Sequence, residues 1–387
     1  MRLHTAGIAK GFRRPTIARV AREPVPPPER GKTALVVSSK DGLEANSRGY
    51  AAIVCQQELD HRLLGSPVVH SVRDIDHLSP GHVVVIEPLN GFIRTLHRPE
   101  SQHNIIFATE RCNSNCLMCS QPPKDTDDTN ALTDRNLQLI DFISPTTEYL
   151  CITGGEPTLL GSRLFAILAK LRDHLPETDI HILTNGRHFA WPEFTAEFAG
   201  IGHPRLSLGI PLYSDSAPVH DYVVQARDAF DQTVLGLHHL ARHGINIEIR
   251  VVLHALTTPR LKSLAEYICH NLTFVDHVAF MGLEQIGYAP RNMQELWIDP
   301  VDYQEELEAS VTVLARFGIE ARIYNHQLCV LKPSLWKYSK QSISDWKNVY
   351  MDCCEDCHVR EQCGGFFHWT PKKQSRAIHP LGAESCG

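Results

Sequence analysis

From residue 104 to about 300 the apolar positions alternate between two rhythms. Short β-branched and aliphatic runs occupy 105–109, 149–153, 180–183, 205–212, 245–254 and 275–281. Between them, at 131–143, 162–174, 192–198, 229–243 and 259–271, apolar residues recur every three or four positions. Strands alternating with helices predict a parallel sheet covered by helices. In the segment starting at 259, Thr258 suits an N-cap, Pro259 suits the first helical position, and Leu261, Leu264 and Ile268 fall on one face. The run at 245–254 carries further information, because Ile245, Ile247, Ile249 and Val251 alternate with Asn246, Glu248 and Arg250. Helices cover an apolar face, so the polar face is expected to line a wet interior, either a partial barrel or a ligand cavity.

The flanks read differently. Residues 33–103 show short runs at 34–38, 51–56, 83–87 and 92–96 punctuated by Gly, Pro and Asn, which predicts a small antiparallel β-rich domain. Before it, Arg2, Lys10, Arg13, Arg14, Arg19 and Arg22 lead into Pro24-Val-Pro-Pro-Pro-Glu-Arg30, so 1–32 reads as a solvated basic arm and proline-rich linker. After 299 a helix at 303–317 gives way to an irregular, aromatic, cysteine-dense stretch, and 300–387 reads as a third unit.

At 387 residues, about 150 per domain predicts two to three domains. A net charge of −6 provides no basic field for a general nucleic-acid binder, so no nucleic-acid partner is expected. No apolar run approaches the ~18 residues of a membrane span, and the N-terminus lacks a secretory apolar segment. The expectation is a cytoplasmic protein without membrane contact, its thiols reduced.

Twelve cysteines are too sparse for a disulfide scaffold, so their spacing decides. Cys112-Asn-Ser-Asn-Cys116-Leu-Met-Cys119 places three thiols just after the first strand. So short a loop cannot pair three thiols as disulfides, whereas three thiolates wrap a soft metal centre and leave one position open. A structural zinc with a remote fourth ligand is the alternative. Cys151-Ile-Thr-Gly154-Gly155-Glu156-Pro157 ends the second strand, where glycines permit close backbone approach to a ligand. Near the C-terminus, Cys354, Cys357 and Cys363 give another cluster-like spacing, with Cys329 upstream, Cys353 competing with Cys354, and Cys386 able to substitute for Cys329. Zinc is again the alternative there. Cys55, Cys151 and Cys269 read as ordinary buried thiols.

The cysteine loop and the Gly-Gly-Glu-Pro turn together resemble the radical SAM superfamily. That resemblance implies an α/β fold, a partial (β/α)6 TIM barrel flanked by the N-terminal β-rich domain and a C-terminal Fe-S auxiliary domain. It implies a 4Fe-4S cluster on Cys112, Cys116 and Cys119 that binds S-adenosylmethionine (SAM). The expected SAM contacts are Gly154, Gly155, Glu156 and Pro157 for the amino group, Asn185 and Ser207 for the ribose, and Arg250 for the carboxylate. Otherwise Asn185-Gly186 is a plain turn and Arg250 pairs with Glu248. The implied reaction is reductive cleavage of SAM to a 5'-deoxyadenosyl radical that abstracts hydrogen from unactivated carbon.

The C-terminal cysteines resemble the twitch and SPASM extensions of radical SAM enzymes, which implies one auxiliary 4Fe-4S cluster on Cys329, Cys354, Cys357 and Cys363. Phe367 stands where a fuller motif has another cysteine. The whole chain resembles the His-Xaa-Ser system maturases of the HxsC type. The residues that carry this are Cys116-Leu-Met-Cys-Ser-Gln-Pro-Pro123, Gly209-Ile-Pro-Leu-Tyr-Ser-Asp-Ser-Ala-Pro-Val-His-Asp221, Met281-Gly-Leu-Glu284, Leu296-Trp-Ile-Asp-Pro300, Ile343-Ser-Asp-Trp-Lys347 and Cys363-Gly-Gly-Phe-Phe367. The substrate implied is a ribosomally made peptide with His-Xaa-Ser repeats. A second radical SAM maturase, a small partner protein and an electron donor such as flavodoxin or ferredoxin are the implied partners. The β-rich domain presents the peptide by strand addition or merely caps the barrel. In the 211–221 segment, Tyr213, Asp215, His220 and Asp221 are proton-acceptor candidates or residues of a solvated loop. A radical SAM enzyme acting on a small molecule or tRNA, and a non-catalytic metal-binding scaffold, are the competing readings.

Overall fold

The computed structural model describes residues 3–40, 43, 47–342, 344, 347–368 and 373–382. Ile343, Asp345, Trp346 and Cys386 lie outside the described residues. Contacts divide the chain into two compact units. One comprises 1–106, 131–150 and 173–178, and the other 107–130, 151–172 and 179–387. Among the described residues no helix is long and apolar enough to cross a membrane.

The first unit holds β1 (His4–Ala6), β2 (Ile8–Lys10), β3 (Thr16–Ala21), β4 (Thr33–Val37), β5 (Ala52–Cys55), β6 (Val68–His70), β7 (Val83–Ile86) and β8 (Phe92–His97). Their order is β1-β8-β7-β3-β4-β5-β6-β2. Only Gly7 separates β1 from β2, so one continuous segment pairs with β8 through Thr5↔Ile93 and with β6 through Ala9↔Val69. The sheet therefore closes into a barrel. Gly7 lets the strand change partner, since a Cβ there meets His70 O at 2.5 Å. Alternate residues build two cores. Ala18, Val20, Ala34, Val36, Ala52, Val54, Val84 and Ile86 share the interior. Leu35, Ile53, Cys55 and Val68 pack instead with Leu59 and Leu64.

Two expectations change here. The stretch read as a basic arm and linker supplies three strands and the closing seam, and its prolines start a short helix, Pro27–Arg30. Three-residue strands broken by glycine and interleaved with lysine and arginine carry no period long enough to see. The domain is also mixed rather than antiparallel, because β3-β4, β4-β5 and β5-β6 pair in parallel. β1 and β2, the two end strands of this order, each pair on one side only among the described strands.

The second sheet runs in chain order: β9 (Ile105–Phe107), β10 (Tyr149–Thr153), β11 (Asp179–Leu183), β12 (Leu206–Pro211), β13 (Asn246–Leu253), β14 (His277–Gly282), β15 (Glu320–Tyr324) and β16 (Ser339–Lys340). Every neighbouring pair from β11 to β16 is parallel. Helices in the connections include Ser162–His174, Ala229–Arg242 and Leu261–Asn271, each burying one apolar face. This is the expected α/β partial barrel. Its six expected strands are β9–β14, and the row does not stop at 299, since β15 pairs with β14 through Phe280↔Ile323. The five-residue Glu320-Ala-Arg-Ile-Tyr324 has the right alternation but is easily lost beside cysteine-dense sequence.

Candidate metal and cofactor site

The cysteine loop leaves the C-terminal end of β9 and is pinned at its base. Thr109 Oγ1 donates to Asp128 Oδ1 at 2.6 Å and the Glu110 N–H to Asp128 Oδ2 at 2.7 Å. Within the loop, the Asn115 N–H donates to Val224 O, the Leu117 N–H to Val223 O and the Cys119 N–H to Cys116 O. Burial pushes the Cys112 thiol up to about 12, with the Glu156 charge adding to it. Cys116 is raised by burial and then by thiolate charge at Cys119 and Cys112; burial also raises Cys119. Three thiols raised by burial, two of them also by a neighbouring thiolate, suit a soft cation that takes the place of their protons. Among the described residues no three His, Cys, Asp or Glu side chains are drawn in to the spacing of a metal shell.

The Gly-Gly-Glu-Pro turn at the end of β10 lies directly against this loop. The Gly155 N–H donates to Thr109 O and the Glu156 N–H to Arg111 O, both at 2.7 Å. A Cβ on Gly154 meets Thr109 O at 2.6 Å, and one on Gly155 meets Arg111 O at 2.0 Å, so no other residue lets the two turns approach. Glu156 is fully buried, and its side chain is spent inside the protein. Oε1 accepts from the Thr158 N–H, Thr158 Oγ1 and Thr184 Oγ1, while Oε2 accepts from the Asn185 N–H at 2.7 Å. Its carboxylate thus joins the end of β10 to the end of β11.

Asn185 is brought to the loop, with Nδ2 donating to Asn113 Oδ1 at 2.5 Å. Ser207 is not. It is the second residue of β12, four before Pro211, hence about 13 Å from the strand's C-terminal end at ~3.3 Å per residue. The apolar-polar-apolar run Leu206-Ser-Leu208 did not reveal which end of its strand it marks. Ser207 Oγ instead meets His181 Nδ1 at 2.8 Å. The expected polar face of β13 is present: Glu248 Oε1 accepts from Arg250 Nη1 at 2.7 Å, and its Oε2 lies 3.3 Å from His277 Nε2 and 3.5 Å from His181 Nε2. Burial opposes the Glu248 charge, yet these partners hold its carboxyl down to about 2. Arg250 therefore does pair with Glu248, and its Nη2 reaches Met281 Sδ at 2.9 Å. Its charge also reaches Tyr213, as do those of Cys116 and Cys119.

The 211–221 segment is packed rather than solvated. Ala217–Val224 is helical, Tyr213 and His220 are buried, and the Tyr213 N–H donates to His220 Nδ1. Asp215 is held by Arg260, and Asp221 Oδ1 accepts from the Phe230 N–H at 2.8 Å. Sequence reasoning missed Arg187, which touches Asn113 and Ser114; an arginine one place after an Asn-Gly turn carries no motif.

The profile of the Radical SAM superfamily matches residues 106–268. Those residues form a radical SAM domain. GTP 3',8-cyclase of Nautilia profundicola is 22% identical over 187 residues, 46% of this chain and 56% of the relative. GTP 3',8-cyclase of Petrotoga mobilis is 30% identical over 147 residues, 36% of this chain and 43% of the relative. Heme chaperone HemW of Mycobacterium tuberculosis is 37% identical over 71 residues, 17% and 18% of the two chains. This chain therefore spans less than two thirds of the curated relatives it matches. Among solved structures, Streptococcus suis SuiB bound to S-adenosylmethionine aligns with a TM-score of 0.46 at 14% identity, over 66% of this chain and 56% of the other.

C-terminal to the radical SAM domain, Cys329, Cys354, Cys357 and Cys363 lie within electrostatic reach of one another. Burial and then the charges of Cys363 and Cys354 push Cys329 up to about 11, and Cys363 feels Cys357. Cys363 Sγ accepts from the Leu328 N–H and Cys357 Sγ from the Leu381 N–H, each at 3.4 Å. Cys353 is exposed and Cys354 half-buried, and Cys354 feels the charge of Cys363. Cys55, Cys151 and Cys269 are buried, as expected.

Proposed function

We propose that this chain is a radical SAM enzyme that modifies a ribosomally made peptide of the His-Xaa-Ser repeat type. The observation that carries the radical SAM part of the reading is the half-buried niche of Cys112, Cys116 and Cys119 packed against the Gly154-Gly155 turn at the C-terminal ends of β9 and β10. A 4Fe-4S cluster on the three thiolates, with SAM on its open iron, supplies reductive generation of a 5'-deoxyadenosyl radical when bound. Gly154 and Gly155 offer backbone at close approach for the SAM amino group. Asn185 lies beside the loop for the ribose, and Arg250, paired with Glu248 here, is the proposed contact for a carboxylate. Glu156 holds the turns and leaves ligand contact to the backbone of its neighbours. Cys329, Cys354, Cys357 and Cys363 would bind one auxiliary 4Fe-4S cluster, a sink for the electron left after C–H abstraction and bond formation.

The motif resemblance to His-Xaa-Ser maturases, together with the second cysteine set, supports the peptide; a second maturase, a small partner and a flavodoxin or ferredoxin donor go with that reading. The nucleotide cyclases among the relatives favour a small-molecule substrate as the second reading. The deciding experiment measures iron, sulfide and zinc per chain after anaerobic reconstitution, in wild type and in a Cys112/Cys116/Cys119 triple alanine variant. About eight irons falling to about four is expected for two 4Fe-4S sites. No iron lost in the variant refutes the SAM site, and a zinc retained in place of the second four refutes the auxiliary cluster. Deoxyadenosine formed in step with a two-hydrogen mass loss from a His-Xaa-Ser peptide is the expected turnover; deoxyadenosine without any change in the peptide refutes the substrate.

A further inference from the structure

We infer that Arg187 is a positioning residue of the cysteine loop, clamping the turn between its first two cysteines and setting a fixed positive charge beside their thiolates. The inference rests on the proposed cluster at Cys112, Cys116 and Cys119. Between Cys112 and Cys116 the backbone has no regular structure, so its shape depends on what grips it from outside. Arg187 supplies that grip. Gly186, with φ of 79°, turns the chain at the end of β11 and starts the short helical turn Arg187–Ala190. From there Arg187 Nη1 donates to Asn113 O and, at 3.2 Å, to Ser114 Oγ.

The clamp is itself anchored. Arg187 Nε donates to Gln232 Oε1 at 2.7 Å, and Asn185 O accepts from Thr233 Oγ1 at 3.1 Å. Both partners sit on the helix Ala229–Arg242. Asn185 adds a second hold on Asn113 through Oδ1. A rigid helix thus fixes residues 185 and 187, which fix 113 and 114. The guanidinium fork bonds two acceptors and the helix at once, a geometry an ammonium does not reproduce. Bonded to Asn113 O and Ser114 Oγ, the guanidinium sits on the residues one and two places after Cys112, the second of them two before Cys116. A cation at this place stabilises the more negative, reduced form of a bound cluster and so raises its reduction potential.

The test uses the full chain, reconstituted anaerobically, as wild type, Arg187→Gln, Arg187→Lys and Gln232→Leu. The readouts are an EPR-monitored redox titration of the SAM-site cluster and the rate of iron loss to a chelator. Arg187→Gln is expected to shift the midpoint to more negative potential and to lose iron several-fold faster. Arg187→Lys keeps the potential near wild type but loses iron faster, because charge remains and the fork is gone. Gln232→Leu leaves the arginine in place and gives an intermediate loss rate, so the inference stays testable if Arg187→Gln does not fold. Unchanged potential and unchanged iron loss in all three variants overturn the inference while leaving the cluster reading intact. A wild type that holds no iron dependent on Cys112, Cys116 and Cys119 overturns both.

Discussion

Glu156 offers the sharpest quantitative test of how the site is held. Its buried carboxylate accepts from four donors, two of them backbone N–H groups at 3.0 and 2.7 Å. The other two are the hydroxyls of Thr158 at 2.7 Å and Thr184 at 2.6 Å. Hydrogen bonds to a charged group contribute about 1.5–3 kcal/mol each, and an unmet buried donor costs about 1–3 kcal/mol. In Glu156→Gln the amide oxygen keeps the three bonds at the Oε1 position, but the NH2 faces the Asn185 N–H. One bond is lost and two donors oppose each other, for about 2–3 kcal/mol. Glu156→Ala strands all four donors and leaves a cavity, for at least about 4 kcal/mol, at the rare end of single substitutions. With roughly 2–4 °C per kcal/mol for a unit of this size, Gln lowers Tm by about 5–10 °C. Thermal unfolding of the metal-free chain under anaerobic conditions measures it, with Thr184→Val and the double variant completing a cycle that should be non-additive. A Glu156→Gln protein within about 1 °C of wild type, or additive behaviour with Thr184→Val, would refute the bracket.

Other outcomes follow from the same structure. Gly209→Ala puts a Cβ 2.8 Å from His181 Nε2 and 2.9 Å from Arg250 Cδ, so overpacking of about 1–3 kcal/mol and a weaker SAM affinity are expected by urea titration and calorimetry; unchanged affinity contradicts a role for Arg250. Burial lowers His97, His181, His220 and His326 to about 4 and His254 to about 3. The unfolded chain binds those protons near 6.5, so stability drops as pH falls from about 6.5 toward 4, by on the order of 1–2 kcal/mol per histidine at pH 5. Equal urea midpoints at pH 7 and 5 would contradict it. Glu248, held down to about 2, contributes stability above an unfolded value of about 4.3 that is lost on further acidification toward 2, so Glu248→Gln should flatten that limb of the curve. Cys353→Ser is expected to keep the C-terminal metal and Cys354→Ser to lose it, read by metal analysis on a background lacking the first three cysteines.

The barrel was legible because each element carries its own period. Ile245 to Val251 alternate against Asn246, Glu248 and Arg250, and the structure gathers Glu248, His181 and His277 on that face. The cysteine spacing was legible because the niche is local in sequence. What escaped was long-range or too short to show a period. β1 and β2 have three residues each, and their partners lie some 60 to 90 positions later. Ser207 was assigned the wrong end of its strand because β12 is flanked by apolar residues on both sides of the serine. The Arg187 clamp joins residues 74 apart, and no spacing rule reaches that far. Glu156 was read as part of a ligand turn, whereas its side chain binds its neighbour Thr158 and the distant Thr184 and Asn185.

The segment that seals the first barrel also sets the order in which it can form. Residues 4–10 are made before β6 and β8, their partners, so the seam is complete only when residue 97 or so has been made. Until then the side of β7 that β8 will cover stays unpaired, and the nascent domain is an open sheet. Closing a loop of that length late in assembly slows folding, because the entropy of bringing distant segments together is lost before their contacts repay it. Cells short of chaperone capacity should accumulate this protein as aggregates nucleated at that unsealed seam, and a version shortened past residue 10 should do so even when chaperones are plentiful.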